Sequence, residues 1–349
     1  MGRLQDIYKM HKEEVARDDR DSRILIFDGL NTFIRIFAAV PSINDNGEHV
    51  GGIAGFMKSV AANIRQFSPT RCIIVFDGKG GSVRRKKLFP DYKAQRKNKT
   101  KLNRHKEFDN PDDARASMEH QLGRIIKYLD NLPVTYFAID NIEADDSIAC
   151  LVTDYYSNKD SEVIIVSTDR DFLQLINPSV RVYNPVKKKL YTVPVMIEEF
   201  GIRPENYLLY RIIDGDGSDN IPGIKGVGLK TLIKEIPEVI STEICLDNLL
   251  ELCTMLRAQD VKNPKKFADA ILSNEHILRR NYSLMQLNTS DIPTHARARI
   301  LDCVKTDNVS INHYNIKVLF AEDGLQTMVK DFDGWLATSF GKLNMYGKT

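Results

Sequence analysis

Four short apolar runs in this chain each end in acid. They are "RILIFDGL" from Arg23, "RCIIVFDG" from Arg71, "VTYFAIDNIEADD" from Val134 and "EVIIVSTDRDF" from Glu162. Helical stretches such as Gly52–Phe67 and Met118–Leu129 lie between them. Val/Ile-rich runs alternating with helices specify an α/β fold with a mostly parallel sheet covered on both faces. Ligands of such sheets sit outside the carboxyl ends of the strands. That edge receives Asp28, Asp77, the group Glu143, Asp145 and Asp146, and Asp169 with Asp171. A single Asp after a strand is ordinarily a turn or cap former. Four strand ends delivering carboxylates to one edge make a cluster, and clustered carboxylates repel one another unless cations are present. Oxygen donors without His or Cys select Mg²⁺ or Mn²⁺ over zinc. Two such ions suit phosphodiester hydrolysis.

Glu143, Asp145 and Asp146 precede "SIACLVTDYY", which reads as a helix burying Ile148, Ala149, Leu151 and Val152. Acids in a first turn also suit the helix dipole alone. On an ideal helix Glu143 and Asp146 share a face and Asp145 points elsewhere. All three converge only if the helix starts near Ala144.

Charge is distributed unevenly. The net charge is +2, yet residues 79–106 hold twelve Lys or Arg and one acid, Asp91. Such a run repels itself, is expected to be mobile when free, and takes a polyanion as its natural partner. No apolar run is long enough for a membrane span. The first 22 residues are charged throughout and lack the apolar core of a signal peptide. Five cysteines without a C-x-x-C pair fit reduced thiols in a cytosol-like compartment. Cys72 and Cys150 sit in apolar runs and read as core.

"IIDGDGSDNIPGIKGVGLKT" (Ile212 to Thr231) adds Asp214, Asp216 and Asp219. An EF-hand counted from Asp214 would need Gly at position 6 and Glu at position 12; Asp219 and Lys225 stand there. A haloacid-dehalogenase-type phosphatase needs a second Asp after its first strand, where "IFDGLN" has Leu30. Neither reading survives.

Five stretches, "IFDGLN", "VFDGKGGSVRRKKLFPDYKAQR", "IEADD", "STDRDF" and "GDGSDNIPGIKGVGLKT", stand in the order and spacing of one family. The chain resembles the 5′ nuclease (flap endonuclease) superfamily, and within it the bacteriophage replication nucleases of the phage RNase H type. "NYSLMQLNTSDIP" (Asn281 to Pro293) is similar to the segment closing the nuclease region in phage members.

The resemblance implies a PIN-like twisted sheet covered by helices, a helical arch, a helix–three-turn–helix DNA grip and a helical C-terminal region. Its expected divisions are residues 1–22 as an extension, 23–200 as the catalytic domain with the arch at about 79–106, 201–293 as the DNA-binding region, and 294–349 as the tail. It implies one metal group from Asp28, Asp77, Glu143, Asp145 and Asp146, and a second from Asp169, Asp171, Asp216 and Asp219. Asp214 matches no liganding position and reads as a cap. Lys93 resembles the arch lysine that meets the scissile phosphate, with Arg96 and Arg84 as arginine partners. Tyr92 is placed for stacking on a base or for helix packing. Gly223, Lys225, Gly226, Gly228, Lys230 and Thr231 form the grip, with close backbone approach at the glycines and free N–H groups at the next helix. A K⁺ ion is implied at such a hairpin. The expected substrate is duplex DNA or RNA–DNA with a 5′ flap or single-stranded 5′ end. The expected chain is a monomer of bacterial or phage-infected cytoplasm. The tail reads as packing, or as a docking site for a single-stranded DNA-binding protein. The rival classes are a PIN-type endoribonuclease and a non-catalytic DNA-binding relative.

Overall fold

The computed structural model describes residues 20–95, 108, 110–157, 159–259, 262–306 and 308–346. Its centre is a six-stranded sheet in the order β3-β2-β1-β4-β5-β6. The strands are β1 (Arg23–Asp28), β2 (Arg71–Asp77), β3 (Thr135–Ile139), β4 (Glu162–Val166), β5 (Val180–Asn184) and β6 (Lys189–Tyr191). All pair in parallel except β6, which runs antiparallel to β5. The four acid-terminated runs form β1 to β4; β1, β2 and β4 are interior, as their apolar continuity requires, and β3 lies at the sheet edge. The β5–β6 hairpin carries no such run and was not anticipated.

Alternation along each strand feeds two cores. Ile24, Ile26, Ile73, Val75, Val163 and Ile165 enter one. Leu25, Phe27, Cys72, Ile74, Ile164 and Val166 enter the other. Helices α1 (Gly29–Phe37), α2 (Gly51–Phe67) and α4 (Pro111–Leu129) cover the second face. Helix α3 (Val83–Leu88) and α5 (Ala144–Cys150) lie on the first, and α5 widens into a π turn at Leu151–Tyr156. Ile148, Ala149, Leu151 and Val152 are buried, as their spacing predicts.

Chain order matters for the site. From β1 the strands run outward to β2 and β3 on one side and to β4 and β5 on the other. The crevice between β1 and β4 is therefore the topological switch point, where open α/β sheets bind ligands. Asp28 ends β1, and Asp169 follows β4.

The stretch from Val193 onward continues the first core. It comprises α6 (Val193–Phe200), α7 (Tyr207–Asp214), the short strands β7 (Gly215–Asp216) and β8 (Ile221–Pro222), and α8 (Leu229–Glu235). Helices α9 (Leu246–Ala258), α10 (Lys262–Ser273) and α11 (Glu275–Met285) follow. Ile212, Ile224, Leu232 and Leu278 are buried in that core. Residues 294–349 divide between the cores. In α12 (Thr294–Lys305), Ala296, Ile300 and Val304 join the first. In α13 (His313–Glu322) and α14 (Phe332–Asn344), Ile316, Phe320, Leu336 and Phe340 join the second. This is the packing role expected of the tail. At the opposite end of the sheet the Arg71 guanidinium is buried, donating to Asp21 at 3.2 Å and to the Val304 carbonyl.

The basic run is described as far as Gln95. In that part it is anchored: Arg85 and Tyr92 are buried, and Phe89 lies under the Arg280 guanidinium at 4.5 Å. Self-repulsion is overcome there because buried carboxylates receive Arg85. Arg96 and the rest of the expected arch to residue 106 lie outside the described residues.

Phe340 fills the second core beneath α2 and is fully buried. Phe340→Ala is expected to cost about 3–5 kcal/mol, the range for deleting a buried aromatic ring. Urea unfolding measures it; a loss below about 1 kcal/mol would show that α14 contributes no core packing.

Candidate active site

Each acid owes its place to a strand end or a helix start. Asp28 closes β1 and caps α1, accepting the Asn31 N–H at 3.1 Å, while Ser167 donates to its other oxygen at 3.1 Å. Asp77 closes β2 and accepts the Ala144 N–H at 2.8 Å, so it also fastens the first turn of α5. That helix does start at Ala144, with Glu143 as its N-cap residue. Asp169 accepts the Asp171 N–H at 2.8 Å. Asp216 ends β7, and Asp219 lies in the turn that joins it to β8.

The protonation equilibria show which acids face one another. Burial pushes Asp28 up to about 7, helped by the charges of Asp169 and Asp77. Burial, then Asp169 and Asp28, holds Asp145 well above the usual carboxylate range. Burial, then Asp219 and Asp216, raises Asp169. Burial, then Asp169, brings Asp171 to about 7. Asp169 and acids of both expected metal groups thus disfavour one another's charge.

Cations from three elements occupy the rest of the edge. The Arg85 guanidinium is buried; it donates to Asp146 through two nitrogens at 2.8 Å, to Glu143, and to the Leu284 carbonyl at 2.8 Å. Lys93 donates to Glu143 at 2.6 Å and lies 3.9 Å from Asp219. Although burial alone would raise Glu143, Arg85 and Lys93 hold it below its ordinary value. Arg211 on α7 donates to Asp171 at 3.0 Å and to Asp216 at 2.5 Å. Against its burial, bonds from Ser218 and Arg211 lower Asp216.

Several expected site residues take other positions. Asp146 turns to Arg85, and with Arg84 it lines a cleft of about 750 Å³ between α3 and α12. Arg84 pairs there with Asp291 at 2.7 Å and Asp146 at 3.6 Å. It is the neighbouring Arg85 that reaches the acid edge. Tyr92 is 3% exposed with its hydroxyl 3.5 Å from Glu143, so packing is its role and its ring cannot receive a base. Asp214 is no cap: it ends α7 and accepts from Tyr210 at 3.2 Å. Gly223 serves packing, because a Cβ there would lie 2.1 Å from the Asp214 carbonyl. Gly226, at φ +82°, faces open space, as does Gly228 at the start of α8. Lys225 and Lys230 are exposed beside them and Thr231 is half-buried. Arg85 and Arg211 were missed. For Arg211 the signal was available: one arginine on the apolar side of "NYLLYRIID", just before the acid loop.

Among the described residues, no three acids already close on one point as a metal cage. Lys93 and Arg211 stand among them instead. The donor set still fits hard divalent cations: it is all oxygen, and burial together with mutual repulsion disfavours the ionised carboxylates unless positive charge such as a divalent ion offsets it. Asp28, Asp77, Asp145, Asp169, Asp171, Asp216 and Asp219 are the residues that could hold them, while Glu143 is engaged by Lys93 and Arg85.

A doubly wound sheet with acids at its switch point, a basic segment above and a glycine hairpin beside them defines a nuclease-type α/β site. The sequence model described as "5′-3′ exonuclease, N-terminal resolvase-like domain" matches residues 23–201. The chain belongs to this 5′-3′ exonuclease family. It is 32% identical over 226 residues to the 5′-3′ exonuclease of Aquifex aeolicus, covering 64% of this chain and 72% of that one. Against the Bacillus subtilis 5′-3′ exonuclease it is 32% identical over 238 residues, covering 66% and 74%. Against the thermostable DNA polymerase I of Thermus thermophilus it is 31% identical over 272 residues, covering 78% of this chain but spanning 29% of the relative. The fold matches bacteriophage T5 5′-exonuclease with bound zinc at a TM-score of 0.62 and 22% identity, covering 81% of this chain and 98% of that one. It matches a T5 flap endonuclease pseudo-enzyme-product complex with DNA and metal ions at 0.59 and 22%, covering 90% and 99%.

Asp28 gives a pH test. Its folded pKa of about 7 lies above that of an unfolded aspartate. The metal-free fold therefore holds an extra proton below that value, and this stabilisation is lost as pH rises through about 7. Asp28→Asn removes the charge, so its gain in Tm without metal should be larger at pH 8 than at pH 5, by ~3 °C or more. Equal gains at both pH values in calorimetry would show that Asp28 does not titrate in this window.

Proposed function

We propose that this chain is a divalent-metal-dependent, structure-specific 5′ nuclease that hydrolyses phosphodiesters at 5′ flaps, nicks and 5′ ends of duplexes. Primer removal and flap processing in replication are the corresponding roles, and 5′-phosphates the corresponding products. The observation that carries this reading is the placement of Lys93. Its ammonium lies on the acid edge, within reach of Glu143 and Asp219, on a segment that continues the basic run. A phosphate drawn to that lysine lies against the carboxylates.

Divalent ions held by those carboxylates would supply Lewis-acid activation of water and neutralise charge on the leaving oxygen. Mg²⁺ or Mn²⁺ is the choice consistent with donors lacking sulfur and imidazole. The chain itself positions the substrate. Lys225 and Lys230, with the backbone around Gly226 and Gly228, contact duplex phosphates without reading bases. Lys93 orients the reacting phosphate. Arg85 and Arg211 fix the acids that surround it. A K⁺ ion at the hairpin, a monomeric state, cytoplasmic location and a single-stranded DNA-binding protein as partner follow from the same family resemblance.

The test is product mapping on 5′-labelled substrates: flapped duplex, nicked duplex, RNA–DNA hybrid, single-stranded RNA and p-nitrophenyl phosphate. Mg²⁺-dependent 5′ products from the first three are expected. Cleavage of single-stranded RNA alone would favour the endoribonuclease. Tight duplex binding without cleavage at any Mg²⁺ or Mn²⁺ concentration would favour the non-catalytic relative.

Lys93→Ala is expected to lower the single-turnover rate on flapped DNA by roughly 10²-fold or more, as for one electrostatic contact to a reacting group. Duplex affinity measured in Ca²⁺ should stay within about twofold. Equal, small losses in rate and affinity would reduce Lys93 to one general phosphate contact.

A further inference from the structure

We infer that Asn220 is a positioning residue: it latches the Asp91–Gln95 segment onto the β7–β8 turn and thereby sets the Lys93 ammonium on the acid edge. The inference rests on the nuclease reading above, because it concerns the lysine that serves that reading.

The contacts are specific. The Asn220 amide donates to the Asp91 carbonyl at 3.0 Å and accepts from the Gln95 amide at 3.0 Å. Between these two points the Lys93 N–H donates to the Asp219 carbonyl at 3.0 Å. Three hydrogen bonds thus join two stretches more than a hundred residues apart, and the lysine is at their midpoint. Both backbones are held in the left-handed region, with φ +58° at Lys93 and φ +61° at Asn220. Side chains other than Asn, Asp and Gly adopt this region at a cost, and it persists where surrounding contacts over-determine it.

The chemistry selects asparagine. Its side chain offers a donor and an acceptor from one planar group, and both are used here. Aspartate keeps the acceptor for Gln95 but turns a negative oxygen on the Asp91 carbonyl. Glycine keeps the backbone freedom and loses both bonds. Tyr92, buried on the neighbouring core, fixes the segment's other side. Without the latch the segment remains attached through Tyr92, and the Lys93 ammonium loses its fixed relation to Asp219 and Glu143. The device also joins this part of the basic run to the turn that opens the duplex grip, so the two substrate-binding regions share one geometry.

The test uses the full chain with Asn220→Asp, Asn220→Gly and Gln95→Ala, each alone and combined with Lys93→Ala. Asn220→Asp and Asn220→Gly are expected to slow single-turnover cleavage of flapped DNA by at least ~10-fold, as displacing a catalytic group does. Duplex affinity in Ca²⁺ should stay within about twofold. In the Lys93→Ala background the Asn220 changes should cost less than about twofold more, because Asn220 acts through that lysine. Gln95→Ala should give a smaller loss that is likewise absent without Lys93. Fully additive losses, or equal losses of rate and duplex affinity, would overturn the assignment. A second readout needs no catalysis: hydrogen exchange at the Lys93 amide should speed at least ~10-fold in both Asn220 variants, and unchanged exchange would also overturn it. Should the unaltered protein leave flapped DNA intact, the nuclease reading falls, and the latch stands or falls on that exchange alone.

Discussion

Repulsion among carboxylates at the β1–β4 crevice is the constraint around which this molecule is arranged. Asp28 is buried and Asp145, Asp169 and Asp171 are half-buried around it, and each is pushed toward holding its proton. Such a cluster persists only where the surrounding fold supplies positive charge or accepts protonation. The chain supplies charge from three remote places. Arg85 comes from α3, Lys93 from the segment after it, and Arg211 from α7. Each of these cations ties an otherwise separate element to the sheet edge. Electrostatic compensation and tertiary architecture are the same set of contacts.

What was legible in the sequence follows from which forces act locally. The interior strands β1, β2 and β4 could be read because burial on both faces forces unbroken apolar runs. The acids at their ends could be read because parallel strands point the same way. Helix register could not be settled over a short helix. In α3, Arg84 and Arg85 are equally basic in sequence, and only packing against α11 sends Arg85 inward and leaves Arg84 on the cleft. The same uncertainty covered Asp145 and Asp146, which the start of α5 sends to opposite duties. Tyr92 was balanced between a base and a core, and its depth settles that. The β5–β6 hairpin was invisible because its strands are short and its tip is polar. The Asn220 contact lay beyond reading, since its partners are set by the approach of two loops.

The two cores have a consequence for synthesis. One face of the sheet is completed by α14, residues 332–344, packed against α2, residues 51–67. At the usual pace of about 5–20 residues per second, roughly a quarter to most of a minute separates their emergence from the ribosome. Through that interval Val60, Ile64 and the neighbouring apolar face lack their final cover, while the catalytic edge is already encoded upstream. The nascent chain therefore passes through a state with its chemistry nearly assembled and its greasiest side open to water. Chaperone capture is best matched to that window, and synonymous codon changes that slow translation between α2 and α14 would lengthen it without altering one atom of the finished protein.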